Sequence, residues 1–203
     1  MAKIQNIVFD LGGVLVDWNP AYLYRKLFQS EQEMTLFFQQ ICTPDWNEEQ
    51  DGGRLLQDGT NSLVKQFPEK ETLIRAYYDR WEEMLGGPIS GTVDLFREIK
   101  KNPHLKTYAL TNWSAETFPK ALLLFDFLHW FDGRVVSGEE KTRKPFRRIY
   151  EILIERYHID PRQSLYLDDN PRNLEPAREL GFQTHHFTDP QEFRRALLTL
   201  EIL

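Results

Sequence analysis

The rhythm of apolar and polar residues changes twice along the chain. Residues 4–9 (Ile-Gln-Asn-Ile-Val-Phe) form a short apolar run that stops at Asp10-Leu11-Gly12-Gly13, and such a run closed by turn residues predicts a buried strand. From about Asn19 to Leu85 the rhythm is helical. Ser30-Glu31-Gln32-Glu33 is a capping box, whose hydroxyl and carboxylate satisfy free N–H groups at a helix start. Leu73, Ile74, Tyr77, Tyr78, Trp81 and Leu85 recur at helical spacing and predict an amphipathic helix over 70–85. The stretch 43–60 reads as a loop, because Pro44, Asp51-Gly52-Gly53 and Asp58-Gly59 are turn signals.

After Gly86-Gly87-Pro88, strands and helices alternate. The pattern predicts helix 91–101, strand 106–110, helix 115–124, strand 134–136, helix 145–157, strand 164–167, helix 171–180 and strand 183–187. A last helix opens at Asp189-Pro190. Pro145 and Pro171 are read as first-turn prolines, since a fixed φ and a missing N–H suit that position. Such alternation predicts an α/β fold, a doubly wound parallel sheet with helices on both faces. Gly86-Gly87-Pro88 is the expected return hinge from the helical insertion.

Composition narrows the class. With 203 residues, 41% of them hydrophobic, the chain can bury a sizeable core. No apolar run approaches the roughly 20 residues a membrane helix needs. The start, MAKIQNIVFD, has no signal-peptide pattern. Cys42, the single cysteine, cannot form an internal disulfide or complete a zinc cage. A cytoplasmic protein is expected. The segment from Asp17 to Pro88 holds 7 basic and 13 acidic residues, so it carries the whole net charge of −6. That imbalance fits a separate unit with a solvated acidic face, and it argues against nucleic-acid binding, which needs a basic stripe.

In a doubly wound sheet, ligands bind beyond the carboxyl ends of the strands. Asp10 follows the first strand, Thr111-Asn112 the second, and Asp168-Asp169 the strand at 164–167, while Lys144 precedes helix 145–157. Carboxylates gathered at one edge repel, so they call for a cation such as Mg²⁺ between them and a lysine nearby. Such a set suits phosphoryl transfer through an aspartyl intermediate. Plain structural readings stand beside this one. Asp10 can end a strand in a turn, Asp168-Asp169 can complement a helix dipole, and Lys144 can be a solvated residue of a basic turn at the exposed edge of the sheet. Trp18, Trp46 and Trp113 are either core aromatics or substrate-lining residues. Asn112-Trp113-Ser114 matches a glycosylation pattern but lacks a secretory signal. His185-His186 would point to opposite faces of a strand, and Asp45–Gln50 lacks the glycine of a calcium loop.

The segments Phe9-Asp10-Leu11-Gly12-Gly13-Val14-Leu15-Val16-Asp17, Leu110-Thr111-Asn112, Arg143-Lys144-Pro145 and Leu167-Asp168-Asp169-Asn170 resemble the four ordered motifs of the haloacid dehalogenase-like hydrolase superfamily. The double-Asp fourth motif and early helical insertion resemble its phosphatase-type branch. The resemblance implies a Rossmann-like core, residues 1–16 and 88–203, under a mobile helical cap, residues 17–87. It implies Asp10 as nucleophile and Mg²⁺ ligand, with the Gly12 carbonyl, Asp169 and Asp168 as further ligands. Thr111 and Asn112 would bind the phosphoryl group and Lys144 would neutralise it. One position departs from many such phosphatases, which carry an acid–base Asp two residues after the nucleophile. Here it is Gly12, so the proton must come from water, the substrate or a cap residue.

The expected activity is Mg²⁺-dependent hydrolysis of a small phosphorylated metabolite, such as a sugar phosphate, by a monomer or homodimer. The alternatives are a metal-independent 2-haloacid dehalogenase, which Gly12 fits and Asp168-Asp169 does not, and a non-catalytic binding protein that keeps the fold.

Overall fold

A computed structural model describes residues 3–203; the first two residues of the expected core lie outside the described residues. In chain order the elements are β1 (Asn6–Phe9), β2 (Val16–Trp18), α1 (Ala21–Tyr24), α2 (Glu31–Gln40), α3 (Pro44–Asp51), α4 (Leu56–Gln66), α5 (Glu71–Asp79), β3 (Leu85–Pro88) and α6 (Ser90–Ile99). They continue with β4 (Lys106–Thr111), α7 (Phe118–Leu124), β5 (Gly133–Val136), α8 (Ser137–Glu140), α9 (Arg147–Tyr157), β6 (Ser164–Asp168), α10 (Pro171–Glu179), β7 (Gln183–His186) and α11 (Pro190–Thr199).

Five strands form one parallel sheet in the order β5-β4-β1-β6-β7. The chain builds outward from β1 in one direction through β4 and β5, then in the other through β6 and β7. The switch point therefore lies at the carboxyl end of β1, where the crevice of such a sheet opens. Every residue of β1 is buried, because helices cover both faces. Ile7 and Phe9 face a cluster with Phe96 of α6 and Phe193 of α11, the Phe9 ring centroid lying 5.1 Å from that of Phe96. Val8 faces the opposite cluster, with Ile149, Tyr150 and Leu153 of α9 and Leu174 of α10. Period-two alternation in one short strand thus feeds two cores.

The helical insertion is tied to the sheet by a two-stranded antiparallel ribbon, in which Val16 pairs with Pro88 and Asp17 with Gly87. Gly87 has φ +106°, a conformation that favours glycine. A side chain at Gly86 would overlap Asp17, which accepts a hydrogen bond from Tyr22. Within the insertion Tyr24 packs against Phe37, Phe38 and Tyr77. No helix among the described residues is long and apolar enough to cross a membrane.

Four of the elements expected from sequence need correction. The stretch 43–60 is largely helical: Thr43 caps α3 through its hydroxyl, which accepts the Trp46 N–H, and α4 begins at Leu56. Gly59 lies inside α4 because a β-carbon there would press into the Gln50 side chain. The helix expected over 70–85 ends at Asp79, followed by a 3₁₀ turn at Trp81–Met84 and then β3. Pro145 precedes α9, which starts at Arg147, and follows Lys144 through a cis peptide bond. The helix expected from 115 starts at Phe118. Pro171 and Pro190 do open helices, behind the capping side chains of Asn170 and Asp189.

Candidate active site

The carboxyl ends of β1, β4 and β6 deliver Asp10, Thr111 and Asp168 to one edge. The loop after β1 closes tightly: the Leu11 carbonyl accepts the N–H groups of Leu15 and Val16, and Asp10 Oδ1 accepts the Leu11 N–H at 2.7 Å. This leaves Asp10 Oδ2 facing Lys144 Nζ at 2.8 Å. The same ammonium lies 2.7 Å from Asp168 Oδ2. Lys144 is only 1% exposed, so the exposed edge position expected for it is wrong. Its basic neighbours suggest a solvated turn, but its partners come from two distant strand ends.

Asn112 explains how Lys144 reaches inward. Its side-chain amide donates to the Lys144 carbonyl at 3.0 Å and accepts the Lys144 N–H at 2.8 Å, a paired clamp on that backbone. Asp168 is fully engaged by protein groups. Oδ1 accepts the Asn170 N–H and the Asn173 amide, and Oδ2 accepts Lys144 and the Tyr166 hydroxyl. Asp169 is left open beside it. Its carboxylate rests on Gly13, which has φ +71° and where any β-carbon would overlap the carboxylate. His186 Nε2 lies 3.0 Å from the Asp169 carbonyl oxygen.

Charge is crowded here. Burial and repulsion from Asp168 push the Asp10 carboxyl well above the usual range, against the pull of Lys144. Burial and Asp168 also raise Asp169. Burial would raise Asp168 too, but Lys144 and the hydrogen bonds it accepts bring it down. Burial alone would lower Lys144, yet Asp10 and Asp168 outweigh it and keep the ammonium charged. Carboxylate oxygens of Asp10, Asp168 and Asp169 lie within 4.8 Å of one another. One ammonium against three carboxylates leaves an excess of negative charge, and an all-oxygen donor set of this kind fits a hard divalent cation. Thr111 is buried at the end of β4, and its hydroxyl has no hydrogen-bond partner.

A cavity of about 560 Å³ opens above this cluster, between the sheet edge and the helical insertion. Asp10, Gly12, Lys144 and Asp169 form its floor, and Trp18, Asn47, Asp51 and Tyr77 line its insertion side. A smaller chamber of about 80 Å³ adjoins it, lined by Gly12, Trp18, Asp51, Tyr78, Trp81 and Trp113. Two of the three tryptophans singled out from sequence, Trp18 and Trp113, therefore border these spaces, and the Trp113 indole N–H has no partner. Trp46 borders neither. It packs on Tyr77 and Tyr78 and donates its indole N–H to the Gly59 carbonyl, which fixes α3 to α4 and α5.

Sequence reasoning missed the insertion's own contributions. Glu48 of α3 bridges Arg143, at 3.2 Å, and Arg172, at 2.6 Å. The Asp51 carbonyl accepts the Ser137 hydroxyl at 2.5 Å, and Glu116 accepts the Leu56 N–H at 2.7 Å. Tyr166 and Asn173 were missed as well, although Tyr166 lies two residues before Asp168 on β6, a same-face spacing that could have found it.

Comparison with known proteins agrees with this architecture. The family model "Hydrolase: haloacid dehalogenase-like hydrolase" matches residues 4–181. D-ribitol-5-phosphate phosphatase of Bacteroides thetaiotaomicron is 23% identical, covering 97% of this chain and 98% of that protein. A HAD-like family hydrolase from Porphyromonas gingivalis superposes with a TM-score of 0.76 at 22% identity, over 98% of both chains. A HAD family enzyme from Bacteroides thetaiotaomicron, solved with magnesium and inorganic phosphate, superposes with a TM-score of 0.68 at 21% identity, over 92% of this chain and 95% of that one. With the family match running through all four strand-end motifs, this chain belongs to the haloacid dehalogenase-like hydrolases.

Proposed function

We propose that this hydrolase is a Mg²⁺-dependent phosphatase that moves the phosphoryl group of a small phosphorylated metabolite onto Asp10 and then to water. The observation that carries the reading is the buried contact of Asp10 with Lys144 at the sheet's switch point, with the open carboxylate of Asp169 beside it. The phosphatase relative and the neighbour solved with magnesium and phosphate support it.

Asp10 is the nucleophile. Its attack on phosphorus brings two anions together, and Lys144 offsets that repulsion from a preorganised position in a site shielded from water. Asp168 is a positioning residue: with both oxygens engaged, it holds Lys144 in place. The Asn112 clamp does the same from the backbone side. The unpartnered Thr111 hydroxyl is a donor for a phosphoryl oxygen. Asp10, Asp169 and the Gly12 carbonyl would hold Mg²⁺, which supplies charge neutralisation for the transferring group. A cavity of about 560 Å³ suits a small metabolite. Residues 17–87 act as a cap that shields the reaction from bulk water while it is docked.

The test is a screen of phosphorylated metabolites with Mg²⁺ and with EDTA. Phosphate release that depends on the metal is expected. Activity that survives EDTA would remove the metal role, and halide release from a 2-haloacid would favour dehalogenation.

A further inference from the structure

We propose that Asp51, a carboxylate brought to the site by the helical insertion, gives the proton to the leaving oxygen and takes one from the hydrolytic water. The inference rests on the phosphatase reading and names the group that completes its proton balance.

An alkoxide is a poor leaving group unless a proton reaches it as the P–O bond breaks. No side chain adjoining the nucleophile loop can supply it from position 12. Gly12 lies there, and a β-carbon built on it would meet nothing within 4 Å. That empty space opens into both the main cavity and the smaller chamber, and Asp51 borders both.

The other titratable groups around these spaces are already committed. Lys144 is held as a cation between two carboxylates. Asp10 attacks phosphorus, and Asp169 belongs to the cation cluster. Glu48 is paired with Arg143 and Arg172. Burial pushes the Cys42 thiol up to about 12 and lifts the Tyr77 and Tyr78 phenols far above their ordinary value, so none of these gives up a proton near neutrality.

Asp51 is the last residue of α3 and lies against the core loop that follows β4. Its carboxylate accepts the Asn47 amide at 2.9 Å, with the Ser114 backbone beside it. The charged groups facing it are Glu48 on its own helix and Arg143 from the core, and Tyr77 and Tyr78 approach from α5. Loss of water, with Glu48 adding to it, holds the carboxyl up to about 7 despite the pull of Ser114, Arg143 and Asn47. Such a group exchanges a proton in both directions at neutral pH.

The two steps balance. Asp10 attacks phosphorus, the bond from phosphorus to the substrate oxygen breaks, and that oxygen takes the Asp51 proton and leaves as an alcohol. Water then attacks the aspartyl-phosphate, the bond from phosphorus to Asp10 breaks, and the proton lost by water returns to Asp51. Inorganic phosphate leaves, and both carboxyl groups regain their starting states. Because the Asp51 carbonyl is held by the Ser137 hydroxyl of the core, the proton donor is in place only when the insertion is docked.

Asp51→Asn separates this role from a structural one, since asparagine keeps the side chain's size and can still accept the Asn47 amide. With alkyl phosphates the variant should lose about 10²–10⁴-fold in kcat/KM, the usual contribution of a general acid. With p-nitrophenyl phosphate, whose leaving group needs no proton, phosphorylation of Asp10 should persist. The variant should then release one equivalent of nitrophenolate in a burst, followed by slow turnover, with phosphate on Asp10 in the mass spectrum. An equal loss on both substrates without a burst, or no loss at all, overturns the proposal. If Asp51→Asn does not fold, Asp51→Ser carries the same readout. Wild-type enzyme that never forms phospho-Asp10 would overturn the phosphatase reading itself. Phospho-Asp10 in the wild type with no burst in the variant overturns the Asp51 role alone.

Discussion

Replacing Lys144 by methionine keeps the unbranched chain to within one atom of its length and removes its charge. The buried ammonium lies 2.8 Å from Asp10 and 2.7 Å from Asp168, so the substitution strands two carboxylates out of water. Removing one partner of a buried pair costs about 3–5 kcal/mol, because the remaining charge is left uncompensated. In a chain of this size each kcal/mol shifts Tm by about 2–4 °C, so Lys144→Met should melt roughly 6–20 °C below the parent at pH 8. The deficit has a pH signature. Without the lysine the folded-state pKa values of Asp10 and Asp168 rise, and a raised carboxylate pKa favours the folded state only while the group is protonated. The penalty should therefore shrink as pH falls towards the carboxylate range and be complete well above it. Thermal melts at pH 5 and pH 8, with urea titrations to confirm two-state unfolding, measure both points. A Tm change under about 2 °C at pH 8, or a deficit that grows with acid, would refute the view of Lys144 as a buried counterion. Turnover, normalised to the folded fraction, should fall by about 10²-fold or more.

Gly13→Ala should cost about 1–2 kcal/mol for its left-handed backbone and weaken metal activation by displacing Asp169, whereas Gly12→Ala should leave Tm nearly unchanged, because its β-carbon meets open space; melts of the pair under matched conditions decide this. Asp10→Asn should abolish turnover and phospho-Asp10 while keeping the fold, as read by stopped assays and circular dichroism. Asp51, at about 7 when folded and near the ordinary carboxylate value when unfolded, stabilises the fold fully below about pH 4 and loses that contribution as pH rises through 7. Asp51→Asn should thus be more stable than the parent at pH 8, by on the order of 4 kcal/mol in urea titrations, and should flatten the dependence between pH 4 and 8.

What could be read directly from the sequence was local and regular. Strand β1 is an apolar run closed by Asp-Leu-Gly-Gly, and α10 and α11 announce themselves through Asn170-Pro171 and Asp189-Pro190. Helix α3 did not, because Pro44-Asp-Trp-Asn-Glu-Glu-Gln-Asp51 carries little apolar signal and is held by distant contacts such as Gln50 with Tyr78. Strand β3, Leu85-Gly-Gly-Pro88, has nearly the worst composition for a strand and exists because Val16 and Asp17 pair with it. The strand-end carboxylates were visible as a set, since topology alone brings them together. The burial of Lys144 and the approach of Asp51 were not, because each depends on contacts between segments far apart in sequence.

The β2–β3 ribbon has a consequence for how this chain can be altered. The insertion leaves the sheet at Val16-Asp17 and returns at Gly87-Pro88, two strands that are direct hydrogen-bonded neighbours. Entry and exit are therefore about 5 Å apart, one strand spacing. Whatever is grafted between Trp18 and Leu85, from a tight hairpin turn to a longer bundle, meets the same pair of anchor points and leaves the five-stranded sheet closed beneath it. Exchange of that cassette would replace the roof of the cavity, with Asn47, Asp51 and Tyr77, while Asp10, Lys144 and Asp169 stay where the strand ends put them.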